Sequence, residues 1–348
     1  MSQNDSMAAR LLATSASAYA AYASNRLLEA HPEVKTQFGE SAFQNWREHF
    51  EQRIVELAAA VKENEPKLFS TQLAWSKTAF EARDVADKML VDSLDCLQST
   101  LEEELPEFCR GAVAPYFEAA RNSFQKSTER SELDFADPIE KLAGTYMVLA
   151  LEGNTRDAIQ AIVSARNSGL SLQDTYRALQ IAQREVGMMW HRAEINVAEE
   201  HLVTFTTQRV MSILVFHEEK ASPNGRTVLS AAVAGNTHDM GVRCLSDFFE
   251  VDGWRAICLG SDAPPIDIAQ AVECFDVSLL LLSAAISTQI NSVRTTIQSV
   301  RQLDTECKIM VGGNAFLDTP EIWKQLGADG YALTPEQALS LGNQWFSG

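Results

Sequence analysis

The chain has 348 residues, of which 46% are hydrophobic and 22% charged, a composition typical of globular proteins with enough apolar side chains for a core. At about 100–200 residues per domain, this length predicts two or three domains. The formal net charge is −18 and we find no basic stripe, so direct binding of nucleic acid is not expected. The apolar run 277–286 is about half of what a membrane span needs.

Targeting and redox signals favour a soluble, cytoplasmic protein. The N-terminus lacks the charged, apolar and cleavage regions of a signal peptide. The six cysteines are scattered without a CxxC pair, so we expect small core residues in a reducing compartment, not a disulfide frame or a zinc site.

The first predicted domain, residues 1–127, is helical throughout. Apolar residues recur at helical spacing, as at Phe50, Ile54 and Leu57, and proline-containing breaks separate the helices. The polar stretch 126–137 is the predicted linker, which ends at an aspartate placed to cap the next helix.

Two further domains are predicted. Residues 138–222 are again helical and predict a four-helix bundle. In residues 226–348, short apolar strands alternate with helices, which predicts a doubly wound parallel sheet of five strands, flavodoxin-like or Rossmann-like. The predicted strands are 227–234, 254–259, 277–283, 308–311 and 330–332. Ligands on such sheets bind beyond the carboxyl ends of the strands.

The loop after the first predicted strand is the most informative. It consists of Gly235, Asn236, Thr237, His238, Asp239, Met240 and Gly241. An imidazole at this edge is well placed to coordinate a metal, and glycines let the backbone pass close to a bulky ligand. The alternative for a loop histidine is a solvated or hydrogen-bonded side chain.

Small residues line the other loops at this edge. Leu282, Ser283 and Ser287 stand at the third strand, and Gly312 and Gly313 at the fourth. Small residues also make tight turns. Together with the loop 259–264, they predict a slot lined by glycine and serine that a flat or elongated group can enter.

A second motif lies in the helical bundle. Asn196 is a predicted N-cap, with a glutamate three residues later, so a helix starts at Val197. Glu200 and His201 then stand in its first turn, shortly after Trp190. The helix dipole favours an acid there but not a protonated histidine, so His201 points to a further role.

The order of these features resembles the cobalamin-binding module of B12-dependent photoreceptors, over roughly residues 138–348. The histidine loop, the serines and the glycine pair are similar to all base-off cobalamin domains, including methionine synthase, mutases and corrinoid methyl carriers. The spacing Trp-x9-Glu-His is narrower and resembles the light-sensing subgroup that holds adenosylcobalamin.

The resemblance implies a role for each motif. His238 would be the lower cobalt ligand in place of the cofactor's own dimethylbenzimidazole, and His201 would take the upper position after light has broken the cobalt–carbon bond. The displaced base would enter the slot near Ser283, Gly312 and Gly313. Three side chains would pack around the 5′-deoxyadenosyl group: Trp190, Val197 and Glu200. Residues 235–241, Leu282 and Ser287 complete the expected cofactor site.

The chain departs from this family in two places. The family has an acid two residues before the ligand histidine, whereas this chain has Asn236. The best-known members also carry a basic winged-helix domain, whereas residues 1–127 form an acidic helical domain that resembles globin-like sensor domains of stressosome proteins.

That layout resembles the photocobilins, which bind biliverdin beside cobalamin. The predicted bilin residues are Trp75, Lys77, Phe80 and Arg83, since aromatic rings stack on a chromophore and cations meet its propionates. These residues can instead belong to an ordinary core and surface, and His49 is an alternative haem ligand.

The main hypothesis is therefore a light-sensing, non-enzymatic homodimer that uses adenosylcobalamin and biliverdin and signals through association or an unknown protein partner. The alternative is a corrinoid methyl carrier serving methyltransferases, which has no need for Trp190 and Glu200 over an adenosyl group. A receiver domain is a third reading, but an acidic cluster for Mg²⁺ at the first strand is missing.

Overall fold

A computed structural model describes residues 3–81, 85, 87–124, 136–319 and 321–347. Most of the predicted linker 126–137 lies outside this part of the chain. Within it, no helix is long and apolar enough to cross a membrane.

The N-terminal part is helical, as predicted. Its helices are α1 (Gln3–Ala30), α2 (Glu33–Phe38), α3 (Ala42–Glu63), α4 (Lys67–Glu81), α5 (Asp87–Glu104), α6 (Glu107–Arg110) and α7 (Ala114–Phe124). The long helices α1 and α3 pack together through apolar stripes that include Leu12, Leu27, Ile54 and Leu57, all fully buried. Helix α3 ends at Asn64, which adopts the left-handed conformation that terminates a helix.

Four helices follow: α8 (Pro138–Leu151), α9 (Thr155–Asn167), α10 (Leu172–His191) and α11 (Val197–His217). Side chains cap three of them. Asp137 accepts a hydrogen bond from the backbone N of Ile139, Ser171 caps α10, and Asn196 forms a capping box at α11. Sequence alone predicts these starts because each cap is a local hydrogen bond.

The C-terminal part is a five-stranded parallel sheet of order β2-β1-β3-β4-β5, which confirms the predicted fold class. Its strands are β1 (Thr227–Val233), β2 (Arg255–Ala263), β3 (Leu279–Ser283), β4 (Lys308–Gly312) and β5 (Gly330–Tyr331). Its helices are α12 (Met240–Val251), α13 (Pro265–Cys274), α14 (Ile290–Arg301), α15 (Ile322–Leu326) and α16 (Pro335–Trp345).

The end of β2 corrects the sequence prediction, which placed a loop at 259–264. The strand continues to Ala263 because Gly260 and Asp262 take positive φ angles of 76° and 53°. These two residues let β2 shift its register against β1 and stay paired with it, so that Ala263 still faces Val233.

Helix α12 joins the sheet to the four-helix bundle, which we call the cap (α8–α11). Cys244 and Phe248 of α12 belong to the buried core of the cap. On another side, the core around α13 and α14 is continuous with that of the N-terminal helices. The sheet therefore contacts both helical parts.

The cysteines correct a second expectation. Cys109, Cys244 and Cys307 are buried, as expected of core residues, but Cys258 and Cys274 are exposed. Cys258 lies on β2, one of the two edge strands of the sheet, which explains why a strand position is accessible there. All six cysteines are free thiols.

Candidate functional site

The histidine loop lies at the carboxyl end of β1, and hydrogen bonds fix its backbone. Gly235, with a φ of 82°, donates its N–H to Asp262 Oδ1 at 2.7 Å and accepts at its carbonyl from Gln289 Nε2 at 2.8 Å. The buried Asn236 donates from Nδ2 to the carbonyl of Ser283 at 3.0 Å. The loop is thus attached to the ends of β2 and β3, and the His238 side chain is exposed at the edge where parallel sheets bind ligands.

Asn236 acts as a two-way clamp. Its Oδ1 accepts the backbone N–H of His238 at 3.1 Å while its Nδ2 serves the carbonyl of Ser283. An ionised carboxylate has acceptors only and cannot make the second bond. The hydrogen bond to Ser283 therefore explains why this chain has a neutral amide at position 236, where the resemblance implies an acid.

The predicted slot is a place of close backbone approach. Gly313 has a φ of 100°, and a Cβ there would lie 2.3 Å from the carbonyl oxygen of Ala284. A Cβ on Gly312 would lie 2.4 Å from that of Ala332. Ser287 is only 2% exposed, and its Oγ has no hydrogen-bond partner in the described residues. Such a buried, unpaired hydroxyl is unusual, and either a ligand or an ordered water can supply the missing partner.

The remaining predicted residues divide between the loop and its surroundings. Asp239 is buried and accepts from Gln208 Nε2 of α11 at 3.2 Å and from Arg243 Nε at 2.8 Å. Met240 begins α12 and packs against the cap core. Thr237 and Gly241 are exposed, and Leu282 on β3 is buried. Asp239 thus connects the histidine loop to the cap.

The cap residues lie where α10 ends and α11 begins. Trp190 is 42% exposed and Val197 52%, which is high for large apolar side chains. Glu200 Oε2 lies 2.5 Å from His201 Nδ1, and Glu200 Oε1 accepts from Thr204 Oγ1 at 2.7 Å. Trp190 thus lies in the last turn of α10, Val197, Glu200 and His201 lie at the start of α11, and Glu200 is paired with His201.

A second bond joins the cap to α12. The buried Tyr176 of α10 donates its hydroxyl to Asp247 Oδ2 at 2.6 Å. Desolvation by burial raises the pKa of Asp247 to about 6, while the Tyr176 hydrogen bond opposes this increase. Burial and the nearby carboxylate also raise the pKa of Tyr176.

Sequence reasoning missed four of the residues that hold the histidine loop: Gln208, Arg243, Asp262 and Gln289. Gln208 and Gln289 reach the loop from distant elements, so no local pattern marks them, whereas Arg243 pairs with Asp239 at the local i,i+4 spacing. Asp262 lay in a segment that the sequence singled out, but its role depends on the irregular end of β2.

Part of the predicted bilin site lies outside the residues that the structure describes. Arg83 and the side chains of Trp75 and Lys77 lie outside the described residues. Phe80 is half-buried and packs against Trp46 and His49, with ring centroids 5.7 and 5.1 Å apart. Desolvation, followed by the nearby Arg53, lowers the pKa of His49 to about 3, so its ring is neutral at neutral pH.

Comparison with known families identifies the two C-terminal parts. Residues 226–340 match the family model of the B12 binding domain, and residues 146–215 match a second model with the same description. The chain therefore carries a cobalamin-binding module made of the cap and the sheet, and both matches lie C-terminal to residue 145.

Among characterised proteins, the chain is 22% identical to a corrinoid protein of Desulfitobacterium hafniense, over 56% of this chain and 92% of that protein. It is also 22% identical to dimethylamine corrinoid protein 3 of Methanosarcina acetivorans, over 52% of this chain and 86% of that protein. The structure of the monomethylamine corrinoid protein of Methanosarcina barkeri aligns with a TM-score of 0.52 and 19% identity, over 60% of this chain and 99% of that one. This alignment supports the fold.

Proposed function

We propose that this B12-binding protein is a light sensor that holds adenosylcobalamin between its cap and its sheet. The observation that carries the proposal is the junction of α10 and α11, where Trp190 and His201 are exposed and His201 is paired with Glu200. The same spacing resembles that of the light-sensing subgroup.

The described residues fit a corrinoid. His238 offers an exposed imidazole on a loop whose backbone is fixed, as a lower metal ligand requires. Ser287 offers a buried hydroxyl that needs a partner, which the polar groups of a nucleotide tail can provide. The glycine pair is required by the chain's own packing, because a Cβ there would meet the backbone of Ala332 or Ala284.

The cap residues then have distinct tasks. Trp190 and Val197 offer apolar surface to cover an adenosyl group. Glu200 binds Nδ1 of His201, which leaves Nε2 as the nitrogen available for a metal. When bound, adenosylcobalamin supplies a cobalt–carbon bond that light breaks, and His201 is the residue proposed to occupy the vacated side.

The proposed output is a change in association. Loss of the adenosyl group removes a ligand that favours one cap position, so the cap equilibrium shifts. We propose a homodimer whose assembly or affinity for a protein partner differs between dark and light. The proposed biliverdin site in the N-terminal domain is the predicted set Trp75, Lys77, Phe80 and Arg83, of which Phe80 packs in an aromatic cluster with Trp46 and His49.

The test is reconstitution with adenosylcobalamin in darkness, with and without biliverdin, followed by absorption spectra and light scattering before and after green light. His201→Ala should still bind and photolyse the cofactor but fail to give the wild-type illuminated spectrum. His217→Ala, an exposed histidine at the other end of α11, is the matched control. Identical illuminated spectra for wild type and His201→Ala refute the role of His201. Unchanged mass and partner affinity refute the output.

A second candidate is a corrinoid methyl carrier, and the relatives named above favour it. A carrier must expose the upper face of the corrin to methyltransferases, whereas a sensor must cover an adenosyl group. Dark affinities separate the two: a preference for adenosylcobalamin over methylcobalamin that is lost in Trp190→Ala supports the sensor. A preference for methylcobalamin supports the carrier.

A further inference from the structure

The N-terminal helices are docked on the sheet beside the slot. Glu63, at the end of α3, forms an ion pair with Arg294 of α14, and Lys62 donates to Asn291. The Glu63 side chain is only 2% exposed, so this pair is largely removed from water. A buried carboxylate requires its cation, which makes this contact specific.

The docking site includes the loops of the slot itself. Thr71 of α4 donates to Asp318 Oδ2 at 2.6 Å, a few residues after the glycine pair. Between the two domains lies a cavity of about 20 Å³, with Lys67 and Thr71 on one side and Ser287 and Asn314 on the other. That volume holds about one water molecule.

A short 3-10 helix, Ser287–Gln289, connects this interface to the histidine loop. Both α3 and α4 contact it. Its last residue, the buried Gln289, holds the carbonyl of Gly235, at the start of the loop that carries His238. The N-terminal domain, the slot and the histidine loop therefore share one structural element.

We infer that the N-terminal domain forms the outer wall of the slot, and that its docking through Glu63–Arg294 and Thr71–Asp318 is coupled to occupation of the slot by the nucleotide tail. Undocking frees the 3-10 helix and loosens both Ser287 and Gln289, so it weakens tail binding. Coupling is reciprocal, so tail binding strengthens docking. The inference rests on the proposed placement of the tail in the slot and is independent of the light response.

The experiment compares hydroxocobalamin with cobinamide, a corrinoid without the nucleotide tail. The full chain is titrated with each in darkness, as wild type, Arg294→Ala and Lys220→Ala. Lys220 also makes an ion pair, with Glu250, but at an exposed site away from the docked face. Hydrogen exchange of residues 62–71 is measured with and without each corrinoid.

Arg294→Ala is expected to weaken hydroxocobalamin binding roughly 5-fold to 100-fold, the range typical of coupling between sites, and to weaken cobinamide binding less, because cobinamide has no tail and responds only through the Gln289 bond to the histidine loop. Hydroxocobalamin should protect residues 62–71 from exchange more strongly than cobinamide does in the wild type. Lys220→Ala should behave as wild type. If Arg294→Ala does not fold, Thr71→Val replaces it with the same expected pattern.

Equal weakening for both corrinoids, or for neither, overturns the coupling. Equal affinity of the wild type for both corrinoids, without selective protection, overturns the tail placement on which the inference rests. A chain that shows the selective loss but no spectral response to light keeps this inference and refutes the sensory function.

Discussion

The bond between Tyr176 and Asp247 predicts a pH-dependent attachment of the cap to the sheet. Burial raises the pKa of Asp247 from 3.8 to about 6, so the native state holds this proton more tightly than the unfolded chain. Protonation of Asp247 at low pH therefore stabilises the native state relative to the unfolded chain. This contribution to the free energy of unfolding is lost as the pH rises from about 4 to about 6. At about 1.36 kcal/mol per pH unit, the loss is roughly 3 kcal/mol.

The perturbation is Asp247→Asn, which keeps an acceptor for the Tyr176 hydroxyl and removes the titration. We expect α10 and α12 to be more protected in the variant than in wild type at pH 7.5, by up to roughly 3 kcal/mol, with the difference shrinking toward pH 4.5. Hydrogen exchange resolved by peptide, with variant and wild type at the same pH, measures this local stability. Asp304→Asn, on an exposed loop, is the control. Parallel pH profiles for wild type and Asp247→Asn refute the reasoning.

Two further predictions concern the histidine loop. His238→Ala should lose tight His-on cobalamin binding, and an unchanged nitrogen splitting in the electron paramagnetic resonance spectrum of the cob(II)alamin form contradicts its ligand role. Asn236→Asp should destabilise the fold by about 1–3 kcal/mol, because a carboxylate cannot donate to the carbonyl of Ser283. An unchanged thermal transition near neutral pH argues against the clamp.

The sheet was predictable because each βα unit has a local sequence pattern: an apolar strand, a turn and an amphipathic helix. The helix starts at Asp137 and Asn196 were predictable for the same reason, since a cap and its partner lie within three residues. The end of β2 was not, because Gly260 and Asp262 read as turn residues and only their pairing with β1 keeps them in the strand.

The candidate site shows the same difference between features that a local sequence pattern marks and features that depend on distant residues. The motif placed His238 at the carboxyl end of a strand, and the loop lies there. Its supports come from distant positions: Gln289 reaches Gly235 across 54 residues, and Gln208 reaches Asp239 across 31. Hydrogen bonds of this kind depend on how whole elements pack, and that packing has no local sequence signature.

Hydrogen bonds hold the histidine loop from two sides. From the cap, Gln208 binds Asp239, the residue after the candidate ligand. On the side of the N-terminal domain, α3 and α4 contact the 3-10 helix, whose Gln289 donates to the carbonyl of Gly235. A motion of either helical part changes a hydrogen bond within three residues of His238. Because coupling between sites is reciprocal, a ligand that shifts His238 through either hydrogen bond is expected to shift the helical part on that side as well. The cap contacts the loop directly through Gln208, whereas the N-terminal domain reaches it through the 3-10 helix.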